Sequence, residues 1–310
     1  MILSVSRRTD IPAFFTPWFF RRLEEGYVLV RNPRNPHQVS RVELNPDAVD
    51  GMVFWTKNPL PLLDKLDRLA DYTYYVQFTL TPYGPDVEPG VPSKSKVGIP
   101  TFQRLSEALG SDRVIWRYDP IFLSCRYTVE YHIRYFEELA RRLSPYTKKC
   151  VISFLDLYRK IQRNMAPLEL QELTPSLQDT LAGTLAGIAH SYGLEMETCA
   201  EDIDLEKYGI HHGRCVDDRL FSRLLGRPLL VGKDRNQRRE CGCVESIDIG
   251  AYSTCRNGCR YCYANFSATS VAANLEHHDP SSPLLLGHVG PEDKVTSRRM
   301  ESLLTDQLTF

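Results

Sequence analysis

The chain has 310 residues, 38 Lys+Arg against 39 Asp+Glu, 42% hydrophobic and 25% charged residues. These ordinary fractions exclude global disorder, and the length is enough for one large domain or two modest ones that bury roughly 75% of the unfolded surface. A net charge of -1 excludes a bulk polycation, although a local nucleic-acid groove stays open. No segment approaches the ~18 uninterrupted apolar residues of a membrane span, and charge follows at once on the short apolar run of MILSVSRRTD. No membrane association and no secretory signal are expected, and a cytoplasmic location follows.

In chain order, short β-rich runs end in polar or Pro/Gly clusters: Ile2–Ser6 before RRTD, Gly51–Trp55 before TKNP, Tyr74–Leu80 before TPYG and Val114–Trp116 before RYDP. Val151–Leu155 and Leu194–Thr198 continue the series. Between them Trp18–Glu25, Leu60–Ala70, Thr101–Leu109, Val129–Leu143 and Leu168–Tyr192 have helical spacing. Six β-α units predict an α/β fold with a parallel sheet, and polar clusters just after each strand favour a (β/α) TIM-type barrel. Pro82–Pro100, with five Pro and three Gly, reads as a loop over the barrel mouth, a lid. The expected division is a barrel core over 1–200, a cysteine-containing extension over 201–245, a strand and loop completing the barrel over 246–266, and an irregular extension over 267–310.

The cysteines carry the chemistry. Seven of nine fall between Cys199 and Cys262, a crowding that in a reducing compartment points to metal or redox chemistry rather than disulfides. The strand-like run Ser246–Tyr252 leads into Cys255, Cys259 and Cys262, a C-x3-C-x2-C loop. Three thiolates on a tight loop can hold three corners of a cubane cluster and leave one iron open, with Gly258 easing the wrapping of the backbone. The alternative is a zinc site completed by a remote Cys or by His277 or His278.

The loop, with Tyr261 just before its last cysteine, resembles the cluster motif of the radical S-adenosylmethionine (radical SAM) superfamily. SRRTDIPAF, FWTKNP, WRYDP, CAED and DIGAYSTCRNGCRYCYAN resemble an uncharacterised bacterial family, known chiefly as a domain of unknown function, over most of the chain. CRNGCRYCYAN also resembles the loop of spore photoproduct lyase. The superfamily resemblance implies a 4Fe–4S cluster on Cys255, Cys259 and Cys262 and S-adenosylmethionine on its open iron. It further implies reductive cleavage to a 5′-deoxyadenosyl radical that takes hydrogen from an unknown substrate, and a donor such as flavodoxin or ferredoxin.

In that superfamily the loop follows the first barrel strand, whereas here it comes late. A circularly permuted partial barrel, with Ser246–Tyr252 parallel to Ile2–Ser6, resolves the conflict. A detached cap is the alternative. On the permuted register Arg7, Arg8, Thr9 and Asp10 meet the cofactor, with Thr9 or Asp10 accepting from its amino group. Ion pairing at a strand end is the plain alternative for Arg7, Arg8 and Asp10. Lys57 can bind cofactor or substrate, although Asn58-Pro59 is also a helix start. Arg117 can bind the cofactor carboxylate or pair with Asp119. Glu201 reads as solvated, Lys233–Arg239 as surface, and His211-His212 as incidental. Trp18, Trp55, Tyr83, Trp116 and Tyr118 read as stacking platforms for a base or as core.

Cys199, Cys215, Cys241 and Cys243 match no named motif. Their number and placement predict a second site, a further 4Fe–4S cluster or a zinc, with free buried thiols as the alternative. The competing functions are nucleic-acid repair or modification of the spore photoproduct lyase kind, and a zinc or iron–sulfur protein without SAM chemistry.

Overall fold

A computed structural model describes residues 1–305. Eight strands make its main sheet: β1 (Ile2–Val5), β2 (Gly51–Thr56), β3 (Tyr74–Thr79), β4 (Val114–Ile121), β5 (Lys149–Phe154), β6 (Glu195–Thr198), β7 (Ile210–His212) and β8 (Ile247–Asp248). Every pairing is parallel, in the order β7-β6-β5-β4-β3-β2-β1-β8. The six early strands all form. The late strand joins the sheet beside the first, with Leu3 opposite Ile247 and Ser4 opposite Asp248, so it is part of the sheet and not a detached cap.

The expected TIM-type barrel is not shown. The sheet runs open from β7 to β8, and no sheet closes among the described residues. Successive steps from β1 to β7 go in one direction, which by the right-handed crossover rule puts the connecting helices on a single face. There α1 (Thr16–Glu25), α2 (Ile99–Leu109), α3 (Val129–Leu143) and α4 (Pro175–Ser191) cover the sheet. Leu3, Phe54, Val76, Trp116 and Ile152 meet Trp18, Phe19, Leu105, Phe136 and Leu185 in one buried cluster.

The alternate residues face the other way. Ile2, Val53, Tyr75, Ile115 and Val151 pack against Val216, Leu220 and Phe221 of the segment containing α5 (Asp218–Leu225), and against Cys215, Cys241, Cys243 and Val244. The cysteine-bearing extension therefore fills the sheet's second face. Gly51 is required there: a Cβ would stand 2.2 Å from the Phe221 ring.

The sequence reading missed a hairpin, Tyr27–Asn32 with Asn35–Glu43, which adds Lys294–Ser297 as a third strand. The tail from 267, expected to be irregular, is partly regular. Within the described residues that tail forms α6 (Ala268–Glu276), capped by Ser267, and then Lys294–Ser297; 306–310 lie outside them. Trp18 Nε1 donates to Ser282 O at 3.0 Å, so tertiary contact orders a segment that lacks periodicity. No described helix is long and apolar enough to cross a membrane.

Candidate metal and cofactor site

Parallel strands release their following loops at one end of a sheet, and here these loops surround a cavity of about 520 Å³. Arg7, Arg8, Thr9, Asp10, Lys57, Arg117 and Tyr261 all line it. So do Cys255, Cys259 and Cys262, and also Cys199, Cys215, Cys241 and Cys243. A second concavity of about 510 Å³, lined by His190, Glu195 and His211, gathers none of the cysteines.

Asp248 sets the start of the cysteine loop. Its carboxylate accepts from Ser4 Oγ at 2.9 Å, Ser6 Oγ at 2.6 Å, the Arg7 amide at 2.7 Å and the Gly250 amide at 3.0 Å. This stitches the end of β8 to the RRTD turn after β1. A Cβ at Gly250 would lie 2.1 Å from Ser6 Oγ, so the approach needs glycine. Asp10 takes the next contact, accepting from Lys57 N at 2.8 Å, Ala13 N at 3.0 Å and Asn257 Nδ2 at 3.0 Å. Its carboxylate thus holds the loop in place, and the neighbouring Thr9 Oγ1 is buried with no partner.

The segment read as a lid is a wall packed against the cysteine loop. Gly90 N donates to Asn257 O at 2.9 Å, and Arg260 N donates to Val87 O at 3.0 Å. Gly258, at φ +63, makes the left-handed turn beside Pro89. The wall also brings in Glu88, which the sequence did not single out. Its fully buried carboxylate accepts from Lys57 Nζ at 2.8 Å and Thr81 Oγ1 at 2.9 Å, and closely from Lys94 and Tyr261. Burial opposes its ionisation, yet Lys57 and Lys94 hold its pKa down to about 2. An acid inside a Pro/Gly-rich loop carries no periodic signal; only the fold shows that it meets Lys57.

Burial pushes the Cys255 thiol up to about 12 and raises Cys259 and Cys262 as well, and the three are near enough to feel one another's charge. Among the described residues, no three His, Cys, Asp or Glu side chains stand at metal-ligand spacing, so these thiols share a cavity without a closed shell. His278 instead packs edge-on to Phe15, its Nδ1 2.8 Å from Leu285 O.

Arg117 is buried in a fork with Asp119, Nε to Oδ1 at 3.1 Å, and its Nη1 lies 2.8 Å from Cys215 Sγ. Of the two expectations for Arg117, the pairing with Asp119 is the one formed. Arg7 donates to Ser246 Oγ at 2.9 Å and pairs with Asp234 at 3.6 Å. Arg8 reaches Gly250 O at 3.4 Å and lies over the Tyr252 ring. Asn58 Oδ1 accepts from Leu60 N at 3.3 Å, as a helix start does.

Glu201 is not simply solvated. It accepts from Phe154 N at 2.8 Å, and burial lifts its pKa to about 7. His211 and His212 belong to β7, with His212 Nδ1 3.3 Å from Thr198 Oγ1. Arg238 of the basic run pairs with Asp156 at the cavity wall. Trp18, Tyr83, Trp116 and Tyr118 are fully buried core; of the five aromatics weighed for stacking, Trp55 alone lines the cavity.

Residues 2–264 match the family described as "Domain of unknown function (DUF1848)". The chain belongs to this family. No curated protein and no solved structure matches it. The DUF1848 span runs from β1 through the cysteine loop and ends two residues after Cys262, so it contains the whole cavity lining and leaves α6 outside.

Proposed function

We propose that this DUF1848 protein is a radical SAM enzyme acting on an undetermined substrate. The observation that carries the reading is that Cys255, Cys259 and Cys262 enter, beside β1, a cavity at the loop end of a parallel sheet. The donor set fits a cluster with one open iron: three thiols on one loop, no fourth cysteine in it, and unpartnered Thr9 Oγ1 and Asn257 Oδ1 nearby. When bound, a 4Fe–4S cluster with S-adenosylmethionine supplies one-electron cleavage of the sulfonium and a 5′-deoxyadenosyl radical that abstracts hydrogen.

The chain's own residues bind and orient. Asp10 and Asp248 fix the loop to the RRTD turn, and Glu88 holds Lys57 and Tyr261 at the cavity wall. Thr9 is the free acceptor for an amino group, since Asp10 already accepts from three donors while Thr9 Oγ1 has none. Lys57 and Arg117 are paired with Glu88 and Asp119, so Arg8, which reaches Asp248 only at 3.9 Å, is the cavity cation best placed to take a carboxylate. The open sheet is read as a permuted partial barrel, in which the cluster-bearing strand is last in sequence and beside the first in space.

A second reading keeps this chemistry and takes nucleic acid as substrate. It is favoured by the rim, where Lys160 lies 5.6 Å from the rings of both Tyr263 and Phe266, each exposed.

Anaerobically reconstituted protein, once reduced, is expected to convert S-adenosylmethionine to 5′-deoxyadenosine and methionine, and the Cys255/Cys259/Cys262→Ala protein is not. Equal cleavage by the two proteins defeats the proposal. Iron binding without cleavage leaves an iron–sulfur protein without SAM chemistry, and stimulation by single-stranded oligonucleotide selects the second reading.

A further inference from the structure

Four thiols at the cavity floor are unused by that reading. Cys199 follows β6, Cys215 precedes α5, and Cys241 and Cys243 precede β8. All four line the same cavity and belong to one packed cluster. Cys215 Sγ lies 3.2 Å from Cys199 Sγ, and Cys243 Sγ accepts from the amide of Val216, the residue after Cys215, at 3.4 Å. We propose that Cys199, Cys215, Cys241 and Cys243 form a mononuclear site for a thiophilic divalent ion of the zinc kind, independent of whatever the Cys255 loop binds.

Spacing decides between one ion and a cluster. A tetrahedral ion with metal–sulfur bonds of about 2.3 Å holds its sulfurs about 3.8 Å apart. A cubane puts each thiolate on a different iron, farther apart than this. The Cys199–Cys215 pair, at 3.2 Å, is close to the first arrangement, and the other two sulfurs must move in to complete a shell. The second 4Fe–4S cluster is therefore the poorer of the two expectations for this set.

Charge supports the same ion. Four thiolates on a divalent metal carry a double negative charge, which burial makes costly unless cations adjoin it. Arg117 Nη1 is 2.8 Å from Cys215 Sγ, while Arg7 and Arg238 are electrostatic partners of Cys243 and Cys199.

The fold gives the ion a task. Residues 226–246 contain no helix and no strand, yet they lie against the buried face of the sheet. A few backbone bonds hold them, such as Val244 N to Val216 O at 3.1 Å. A tetrathiolate ion would clamp this segment to the ends of β6 and α5, closing the floor on which the cavity rests.

The test uses the full chain with Cys255, Cys259 and Cys262 replaced by Ala, which removes the loop ligands. Grown with zinc, this protein is expected to hold about one zinc per chain. Cobalt exchanged into it should give thiolate charge-transfer absorption, and of its six cysteines all but exposed Cys125 should resist alkylation, four of them becoming reactive once a strong chelator is added while Cys150 stays buried. Adding Cys241→Ser and Cys243→Ser should abolish zinc and cobalt binding; Cys125→Ser, at an exposed thiol, should not. If the doubly substituted protein fails to fold, alkylation of the parent decides. No metal, a Cys199–Cys215 disulfide, about four irons per chain, or zinc kept without Cys241 and Cys243 would each overturn the site. None of these outcomes depends on cleavage of S-adenosylmethionine.

Discussion

Asn257 Nδ2 donates to Asp10 Oδ2 at 3.0 Å, joining residues 247 positions apart. The bond pins the middle of the cysteine loop to the turn after β1, and both side chains are buried. Replacing Asn257 by Ala should cost about 1–3 kcal/mol, because the Asp10 carboxylate loses a donor that water cannot replace. A double-mutant cycle with Asp10→Ala, read by denaturant unfolding, should give a coupling of at least about 0.5 kcal/mol. Additive effects would mean that the pin does not hold the loop.

Glu88 neutralises two lysines inside the wall of the site. Glu88→Gln keeps the shape but leaves Lys57 and Lys94 without their counter-charge. Breaking a buried pair in this way costs roughly 3–5 kcal/mol, and the partial exposure of Lys94 places this case toward the lower end. Unfolding midpoints measure the loss. A change below about 1 kcal/mol would show that solvent already screens the pair.

At Gly90 the wall meets the loop so closely that a Cβ would stand 2.3 Å from the Arg256 carbonyl oxygen. Backbone on both sides must yield, so Gly90→Ala should destabilise by about 1–3 kcal/mol and loosen the wall. Gly232→Ala meets nothing within 4 Å and should stay within about 0.5 kcal/mol of the parent. Limited proteolysis of both proteins compares them, with faster cutting near residue 90 expected only in the first.

His132 gives a pH signature. It is fully buried: Nε2–H donates to Phe122 O at 2.9 Å, and Nδ1 accepts from the Tyr118 hydroxyl at 2.9 Å. Burial lowers its pKa from 6.5 to about 4. Between these values the unfolded chain binds a proton that the folded chain refuses, so stability falls as pH drops from about 6.5 to 4, by up to about 3 kcal/mol. Glu201, raised to about 7, acts oppositely: its folded form keeps a proton that the unfolded chain releases, so stability falls as pH rises from about 4.5 to 7. The quantity to measure is therefore the difference between the parent and His132→Gln across pH 4–7. Parallel curves would rule out the buried neutral histidine.

The strands were legible because each buried run is short, apolar and ends in a polar cluster, as FWTKNP and WRYDP illustrate. The helix Val129–Leu143 could be read to its ends, since Thr128 caps it and its apolar residues recur at helical spacing. Closure could not be read. Whether a sheet of sequential order closes or stays open depends on what fills its inner face, and Val216, Leu220 and Phe221 lie in a segment whose sequence reads only as an extension. The cavity lining was legible because strand-end loops and cysteines are local signals. Glu88 and the Asp10–Asn257 bond were not, since each depends on residues brought together only by the fold.

The pairing of β8 with β1 sets a timetable for biosynthesis. Ser4 and Asp248 are 244 positions apart, so at 5–20 residues per second the ribosome needs roughly 12–50 s to deliver the partner of a strand it made first. Throughout that interval one edge of β1 offers unpaired amides and carbonyls beside fully buried-type side chains such as Ile2 and Leu3. The cysteine loop emerges only with the strand that covers this edge. The nascent chain therefore cannot assemble its three-thiol loop against an incomplete sheet, and the same late event that removes an adhesive edge also completes the cavity that Cys255, Cys259 and Cys262 line.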